Sequence, residues 1–155
     1  MSEAIQTAVR TTIEPGVAYA IGRLNSLVFA GITERVAPYA LTTLQFTTLS
    51  VLHRHGEPLS NSQLARRSLM TPQSMHEVIR YLETQGLVRR VADPSHRRRL
   101  PARLTAKGRR VLAACEAAVA EFEDEMLASF TDAERARFLT MVKAAVDNLG
   151  GGFSA

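Results

Sequence analysis

The chain has 155 residues and a net charge of +4, is 46% hydrophobic and contains one cysteine. This length suits one domain with a sizeable core, and a single cysteine excludes both an internal disulfide and a cysteine-based zinc site. Because no apolar run approaches the ~18 residues that span a membrane, and no basic-then-apolar signal peptide opens the chain, we expect a cytoplasmic protein without a membrane partner.

The first predicted element is a long helix that Pro15 and Gly16 open and Pro38 ends. Its apolar residues recur at the spacing of one helical face: Val17, Ile21, Leu24, Val28 and Ile32. Gly22 and Gly31 each weaken such a helix by about 1 kcal/mol relative to alanine. They either allow close packing against another helix or have no packing role.

The next helix begins with a capping box formed by Thr42 and Gln45 and ends at residues 53–56. His53 and His55 form a His-x-His pair, which can indicate a metal site. Because no carboxylate or cysteine completes a ligand set, we interpret the pair as cationic groups that complement the helix dipole. We expect no metal and no cofactor.

Two helices then follow in helix-turn-helix order. Ser60 and Gln63 form a capping box for the first, while Thr71 caps the second and Pro72 is its first helical residue. The second helix, which Gly86 ends, has an apolar stripe at i, i+3, i+4 and i+7: Met75, Val78, Ile79 and Leu82. This pattern is typical of a recognition helix, whose first turn reaches base edges.

The opposite face of this recognition helix carries groups that can bind DNA. Gln73 can bond adenine bidentately, and Arg80 can bond guanine or a phosphate. Glu77 shares the face, where it would either accept a hydrogen bond from cytosine or reject wrong sites. His76 lies on the flank of the same face.

A two-stranded wing is predicted next. Residues 87–92 and 100–104 form its strands, and Pro101 predicts that the second strand is an edge, because proline cannot donate to a ladder. The turn between the strands carries Arg97, Arg98 and Arg99, which suit the minor groove or flanking phosphates.

Two further helices are predicted at residues 105–130, which Thr105 caps, and at residues 132–148, which begin with a capping box formed by Thr131 and Glu134. Terminal-helix positions that lack enough apolar partners within one chain are Ile21, Leu24, Val28, Val119, Phe122, Phe138 and Val142. We therefore expect a homodimer in which the terminal helices of two copies interlock. Cys115 lies on one of these apolar stripes, where it is either a packed, inert thiol or a redox switch.

The charge is unevenly distributed along the chain. Residues 53–110 contain 13 Lys/Arg and 4 Asp/Glu, a net charge of +9, whereas the remainder carries −5. Since the basic segment is also the one that predicts a winged helix, the pattern indicates a nucleic-acid-binding surface.

The order and spacing of these motifs resemble MarR-family transcriptional regulators over about residues 17–148. The resemblance rests on Ala37-Pro38, Leu41-Thr42, Gln45-Phe46, Leu59-Ser60, Leu64-Ala65, Thr71-Pro72, Leu82-Glu83, Gly86-Leu87-Val88, Asp93-Pro94, Arg97-Arg98, Leu104-Thr105 and Gly108. Two residues depart from the family pattern. At His96 the family often has an aspartate that orients the wing arginine, and Glu77 is an acid on the groove-facing side.

The resemblance implies a mainly α fold with a small β-wing in a single domain spanning residues 1–155. A winged helix-turn-helix DNA-binding lobe would occupy residues 41–104, and a terminal-helix dimerisation domain would comprise residues 15–37 and 105–149. It also implies a ligand-responsive repressor that binds a palindromic operator as a homodimer. A small aromatic or phenolic effector would bind between the dimer domain and the lobes.

These considerations give two sets of candidate residues. The DNA-binding set is Ser62, Thr71, Gln73, Ser74, His76, Glu77, Arg80, Arg97, Arg98 and Arg99. The ligand-binding set is Tyr19, Arg23 and Tyr39. No phosphate loop, nucleophile elbow or His-Glu-x-x-His motif is present, so we do not expect an enzyme. The alternative is a winged-helix protein-interaction module without sequence-specific DNA binding, which would not need three wing arginines.

Overall fold

The computed structural model describes residues 16–68, 70–93 and 100–151. Within these ranges the chain is mainly helical with one small antiparallel sheet, which confirms the predicted fold class. The elements are α1 (Val17–Val36), a 3-10 helix (Ala37–Tyr39), α2 (Thr43–His55), α3 (Asn61–Arg67), α4 (Pro72–Thr84), β1 (Val88–Arg90), β2 (Ala102–Leu104), α5 (Ala106–Met126) and α6 (Asp132–Asn148).

The predicted helix starts are confirmed, because their capping side chains form the expected hydrogen bonds. Thr42, Ser60 and Thr131 each accept from the backbone N–H three residues on, and the Gln or Glu there closes the box. Thr71 and Thr105 cap α4 and α5 in the same way without a reciprocal partner. Local sequence therefore decides where these helices begin.

The helix expected over 105–130 ends earlier than predicted, at Met126. A turn follows it, in which the Phe130 N–H donates to the Leu127 carbonyl at 2.9 Å. The turn brings the Phe130 ring edge-on to Phe138, with centroids 5.7 Å apart. A straight helix would not bring these rings together, so this contact accompanies the change of direction between α5 and α6.

The wing strands are also shorter than predicted, and the second strand is not a free edge. Arg90 pairs with Ala102 in the β1–β2 ladder. On its other side, Ala102 exchanges two backbone hydrogen bonds with Leu59, at 2.8 and 3.1 Å. Pro101 can precede this pairing because its carbonyl accepts from Val91 and no donor is required of it.

The core lies between α2, α3, α4, the wing and the first half of α5. The side chains of Leu49, Leu59, Leu64, Met75, Ile79, Leu82 and Leu112 are fully buried there. Because Met75, Ile79 and Leu82 all come from α4, one face of the recognition helix is buried in the core and the opposite face points towards solvent.

Close packing joins α1 to α5 within one chain. A Cβ added at Gly31 would overlap the Phe122 ring, so this glycine permits the close approach, whereas Gly22 has nothing within 4 Å. Val119 is buried and Phe122 half-buried. The prediction that these two residues lack partners within one chain is therefore wrong.

Helix α6, in contrast, has little cover. None of its 17 residues is buried in the described chain, and Leu139, Met141 and Val142 are exposed. Helix α1 also exposes apolar side chains, including Ile21 and Phe29. No described helix is long and apolar enough to cross a membrane.

Candidate nucleic-acid interface

The two faces of α4 have opposite chemistry. Its buried face anchors the helix in the core, and every candidate on the other face is exposed: Gln73, Ser74, His76, Glu77 and Arg80. These side chains occupy the first turns of the helix, which is the part of a recognition helix that can enter a groove. The predicted common face is thus formed, and the side chains on it can reach a partner.

The cap of α4 uses some of this hydrogen-bonding capacity. Thr71 Oγ1 accepts from the Ser74 backbone N–H at 3.1 Å and donates to Ser74 Oγ at 2.9 Å. The Thr71 hydroxyl proton is therefore engaged locally, while the Ser74 hydroxyl can still donate to a partner. Ser62 is exposed in the first turn of α3.

A shallow cleft of about 420 Å³ lies along α4 and is lined by Glu77, Arg80, Tyr81 and Thr84. The Tyr81 hydroxyl crosses to the end of the 3-10 helix, where it donates to the Ala40 carbonyl at 2.6 Å. Ala40 has a positive φ of 56° and joins α1's end to α2. The recognition helix is therefore in direct contact with the connection between α1 and the lobe.

The wing arginines Arg97, Arg98 and Arg99 lie outside the described residues. The strands that carry the turn show two further exposed arginines, Arg89 and Arg103, which face each other directly across the ladder. Like charges at such a position repel each other. Neither arginine of this pair was among the predicted DNA-binding residues, although the two-residue alternation of strand side chains could have placed both on the solvent face.

The next arginine, Arg90, has a different environment. It is half-buried, and its guanidinium forms a 3.1 Å ion pair with Glu83. It also donates to the side chain of Asn61 at 2.8 Å and to the Leu100 carbonyl at 2.9 Å. Part of the basic charge of residues 53–110 is thus bound by acceptors of the protein itself.

The three candidate ligand residues do not meet within one chain. Tyr19 and Arg23 are exposed at i and i+4 on α1, so they share a face. Tyr39 follows the other end of that helix, about 24 Å along the axis from Arg23 and about 30 Å from Tyr19 at the usual rise of ~1.5 Å per residue. A pocket that included all three would need a second chain.

The His-x-His pair, His53 and His55, lies in the last turn of α2. His55 Nδ1 lies 3.2 Å from the Glu57 carbonyl, next to the end of α2. Among the described residues, no group of three or more His, Cys, Asp and Glu could hold a metal ion.

Cys115 is fully buried in α5. Burial, with a smaller contribution from the Glu116 carboxylate, raises the pKa of its thiol to about 11. Because the thiolate is the reactive form, a thiol in this environment is protonated and unreactive at neutral pH. The structure favours the packing interpretation over the redox switch.

We expect the Cys115 thiol of the folded protein to resist an aromatic disulfide reagent near neutral pH and to react fully in denaturant. The same experiment at higher pH should show reaction only as the solution approaches the raised pKa. Absorbance of the released thiolate measures both. Rapid modification of the native protein near neutral pH would contradict the packed-thiol interpretation.

Comparison with known proteins gives one consistent family. The MarR family model matches residues 41–99. The HTH-type transcriptional repressor Rv2887 of Mycobacterium tuberculosis H37Rv is 34% identical over 125 residues, which is 81% of this chain and 89% of that protein. Its solved complex with salicylic acid matches with a TM-score of 0.71 at 33% identity, covering 86% of this chain and 98% of that one.

Two other solved structures resemble the fold. The transcriptional repressor CouR bound to a 23-mer DNA duplex matches with a TM-score of 0.75 and 29% identity, covering 84% of this chain and 92% of that one. Wild-type apo MarR of E. coli matches with a TM-score of 0.74 at 20% identity, covering 85% and 98%. At that identity the second match supports the fold alone.

Proposed function

Because this chain belongs to the MarR family, and is therefore a transcriptional regulator and not an enzyme, we propose that it is a repressor that binds a palindromic DNA operator as a homodimer. The observation that carries the proposal is the exposed polar face of α4, which is fixed by three buried residues and lies within a segment of net charge +9. Groove-reading side chains combined with phosphate attraction are what a sequence-specific DNA-binding protein needs.

We propose that DNA binding and dimerisation belong to different parts of the chain, which meet between secondary-structure elements. Residues 41–104 form the DNA-binding lobe, and residues 15–37 and 105–149 form the dimerisation region. The acidic ends stay away from phosphate while the basic middle faces it. Such a regulator works where the chromosome is, so we propose a cytoplasmic protein.

Selection of bound DNA from a random pool tests the function directly. We expect recovery of an imperfect palindrome with half-sites about 10 base pairs apart, because two recognition helices in a dimer are spaced by about one DNA turn. Binding to the selected DNA should weaken steeply as salt is raised. Failure to enrich any sequence would favour the protein-interaction module instead.

Base reading should depend on the exposed face of α4. We expect Gln73→Ala or Arg80→Ala to cost about 1–3 kcal/mol on the selected operator while sparing non-specific binding, because each removes one base-edge contact. Gel shifts against the operator and a scrambled duplex measure the difference. If both variants keep the wild-type base preference, these residues contact only the backbone.

The wing turn should contribute mainly charge. We expect the double variant Arg97→Ala, Arg98→Ala to weaken binding to all sequences and to flatten its salt dependence, by about 0.9 in the log–log slope for each phosphate that is no longer neutralised. Titration over a series of salt concentrations gives the slope. An unchanged slope and affinity would mean that the arginines are only solvated.

We further propose that a small aromatic or phenolic acid releases the DNA. The relative Rv2887 is known in complex with salicylic acid, and a CouR of Rhodococcus jostii RHA1 with p-coumaroyl-CoA. Tyr19, Arg23 and Tyr39 are the candidate contacts, with Arg23 pairing the anionic group across a dimer. Salicylate should displace the operator in a gel shift, and the saturated analogue cyclohexanecarboxylate should not.

A further inference from the structure

Arg90 and Arg89 are adjacent in β1 but face opposite sides of the wing, because strand side chains alternate. Arg89 is exposed and lies across from Arg103. Arg90 faces inward, and its Nε donates to Glu83 Oε1 at 3.1 Å. Its Nη1 donates both to Asn61 Oδ1 at 2.8 Å and to the Leu100 carbonyl at 2.9 Å.

The three acceptors belong to three different parts of the lobe. Glu83 is in the last turn of the recognition helix α4, Asn61 is the first residue of α3, and Leu100 begins the return from the wing turn. We name Arg90 with these three acceptors the Arg90 bridge. One side chain thus connects the recognition helix, the helix before it and the wing.

The chemistry of the guanidinium suits this role. It is planar and rigid and has five N–H donors in fixed directions, of which three are used here by protein acceptors. The side chains of Arg90 and Glu83 are only 24% and 32% exposed, so water competes with the pair less than at an open surface. A lysine would keep the charge but could not satisfy acceptors in these three directions at once.

We propose that Arg90 is a positioning residue for DNA recognition and does not itself bind phosphate. It holds the wing at a fixed distance from α4, so that both elements meet one DNA site without a further ordering step. Without this fixed distance, the wing must be ordered when DNA binds, and that ordering adds a conformational cost to binding. The inference rests on the proposed DNA-binding function. It gives Arg90 a positioning role in that function, although a charge count alone would include this arginine among the residues that bind DNA.

The test compares Arg90→Lys with Arg89→Lys, which make the same change on opposite faces of one strand. We expect Arg90→Lys to lower operator affinity about tenfold, because the wing is no longer preorganised, while the salt slope stays at the wild-type value, because no charge is removed. Arg89→Lys should bind within about twofold of wild type. Urea unfolding verifies that both variants are folded at the assay temperature.

Two further measurements separate positioning from general stability. Hydroxyl-radical footprints of Arg90→Lys should show weaker protection at the operator flanks, where the wing binds, and unchanged protection at the positions that α4 contacts. Asn61→Ala should produce the same flank-specific effect. The double variant Asn61→Ala, Arg90→Lys should bind no more weakly than Arg90→Lys alone, because both changes break the hydrogen bond between Arg90 and Asn61.

Specific results would overturn the proposal. These are wild-type affinity in Arg90→Lys, a uniform decrease of protection across the footprint, or full additivity of the Asn61 and Arg90 changes. Arg90→Ala would also do so if its salt slope fell by about 0.9, as the removal of one phosphate ligand requires. If wild-type protein binds no DNA in a salt-dependent way, the proposed function fails first, which is a different result from normal binding by Arg90→Lys.

Discussion

Gly108→Ala should destabilise the chain by about 3 kcal/mol, the upper end of the usual cost of overpacking. A Cβ at this position would overlap the Leu87 carbonyl oxygen. That oxygen cannot move freely, because it accepts from the Thr105 backbone N–H at 3.0 Å. The clash is therefore with fixed backbone at the point where α5 packs onto the wing.

Thermal unfolding measures the effect, which should lower Tm by about 6–12 °C for a chain of this size. Ala113→Ser is the matched control, since it also adds one heavy atom to α5 but at an exposed position. Its cost should stay below about 0.5 kcal/mol. Equal melting temperatures for the two variants would show that α5 can shift away from Leu87.

Gly31→Ala should destabilise the chain less than Gly108→Ala and more than Ala113→Ser. The group it would meet is the ring of Phe122, which can rotate, and not backbone. The difference between the two glycines could not be predicted from the sequence, because it depends on which distant residue packs against each of them. Only the crossing of α1 over α5 and the contact of α5 with Leu87 distinguish them.

Helix starts were the most predictable part of the fold. Thr42, Ser60 and Thr131 act within four residues of chain, so the local pattern contains all the information that a capping box needs. The end of α5 at Met126 was not predictable in this way. It accompanies the contact between Phe130 and Phe138, which forms only once α6 has turned back.

In the candidate interface, too, local pattern predicted some features and tertiary contacts decided the others. Helical periodicity alone placed Gln73, Glu77 and Arg80 on one exposed face, opposite the buried Met75 and Ile79. Charge counting could not separate Arg89 from Arg90, although one is exposed and the other bonds to Glu83. Strand alternation could have placed the two side chains on opposite faces. Which acceptors Arg90 meets depends on the position of α4 and could not be predicted from the sequence.

The exposed apolar residues of α6 lead to the prediction with the widest consequences. If the proposed homodimer forms through α6, the double variant Met141→Asp, Val142→Asp should be monomeric at concentrations where the wild-type protein dimerises. Both side chains are exposed in one chain, at 61% and 39%, on a helix with no buried residue in the described part of the protein. Burying each in a dimer would contribute about 1.5–3 kcal/mol, and an unpaired carboxylate there costs several more.

The dissociation constant of the dimer should therefore rise at least ~1,000-fold, since each 1.4 kcal/mol is a factor of about ten. Light scattering over a concentration series measures it. Removal of residues 131–155 should abolish dimerisation and folding, because the apolar stripe that these residues cover would be exposed. Leu100→Asp is the control outside α6, because it places one aspartate on a 55% exposed apolar residue of the wing and should leave the dimer intact. A wild-type protein that stays monomeric at micromolar concentration yet binds DNA tightly would overturn the dimer, the palindromic operator and the ligand site between two chains together.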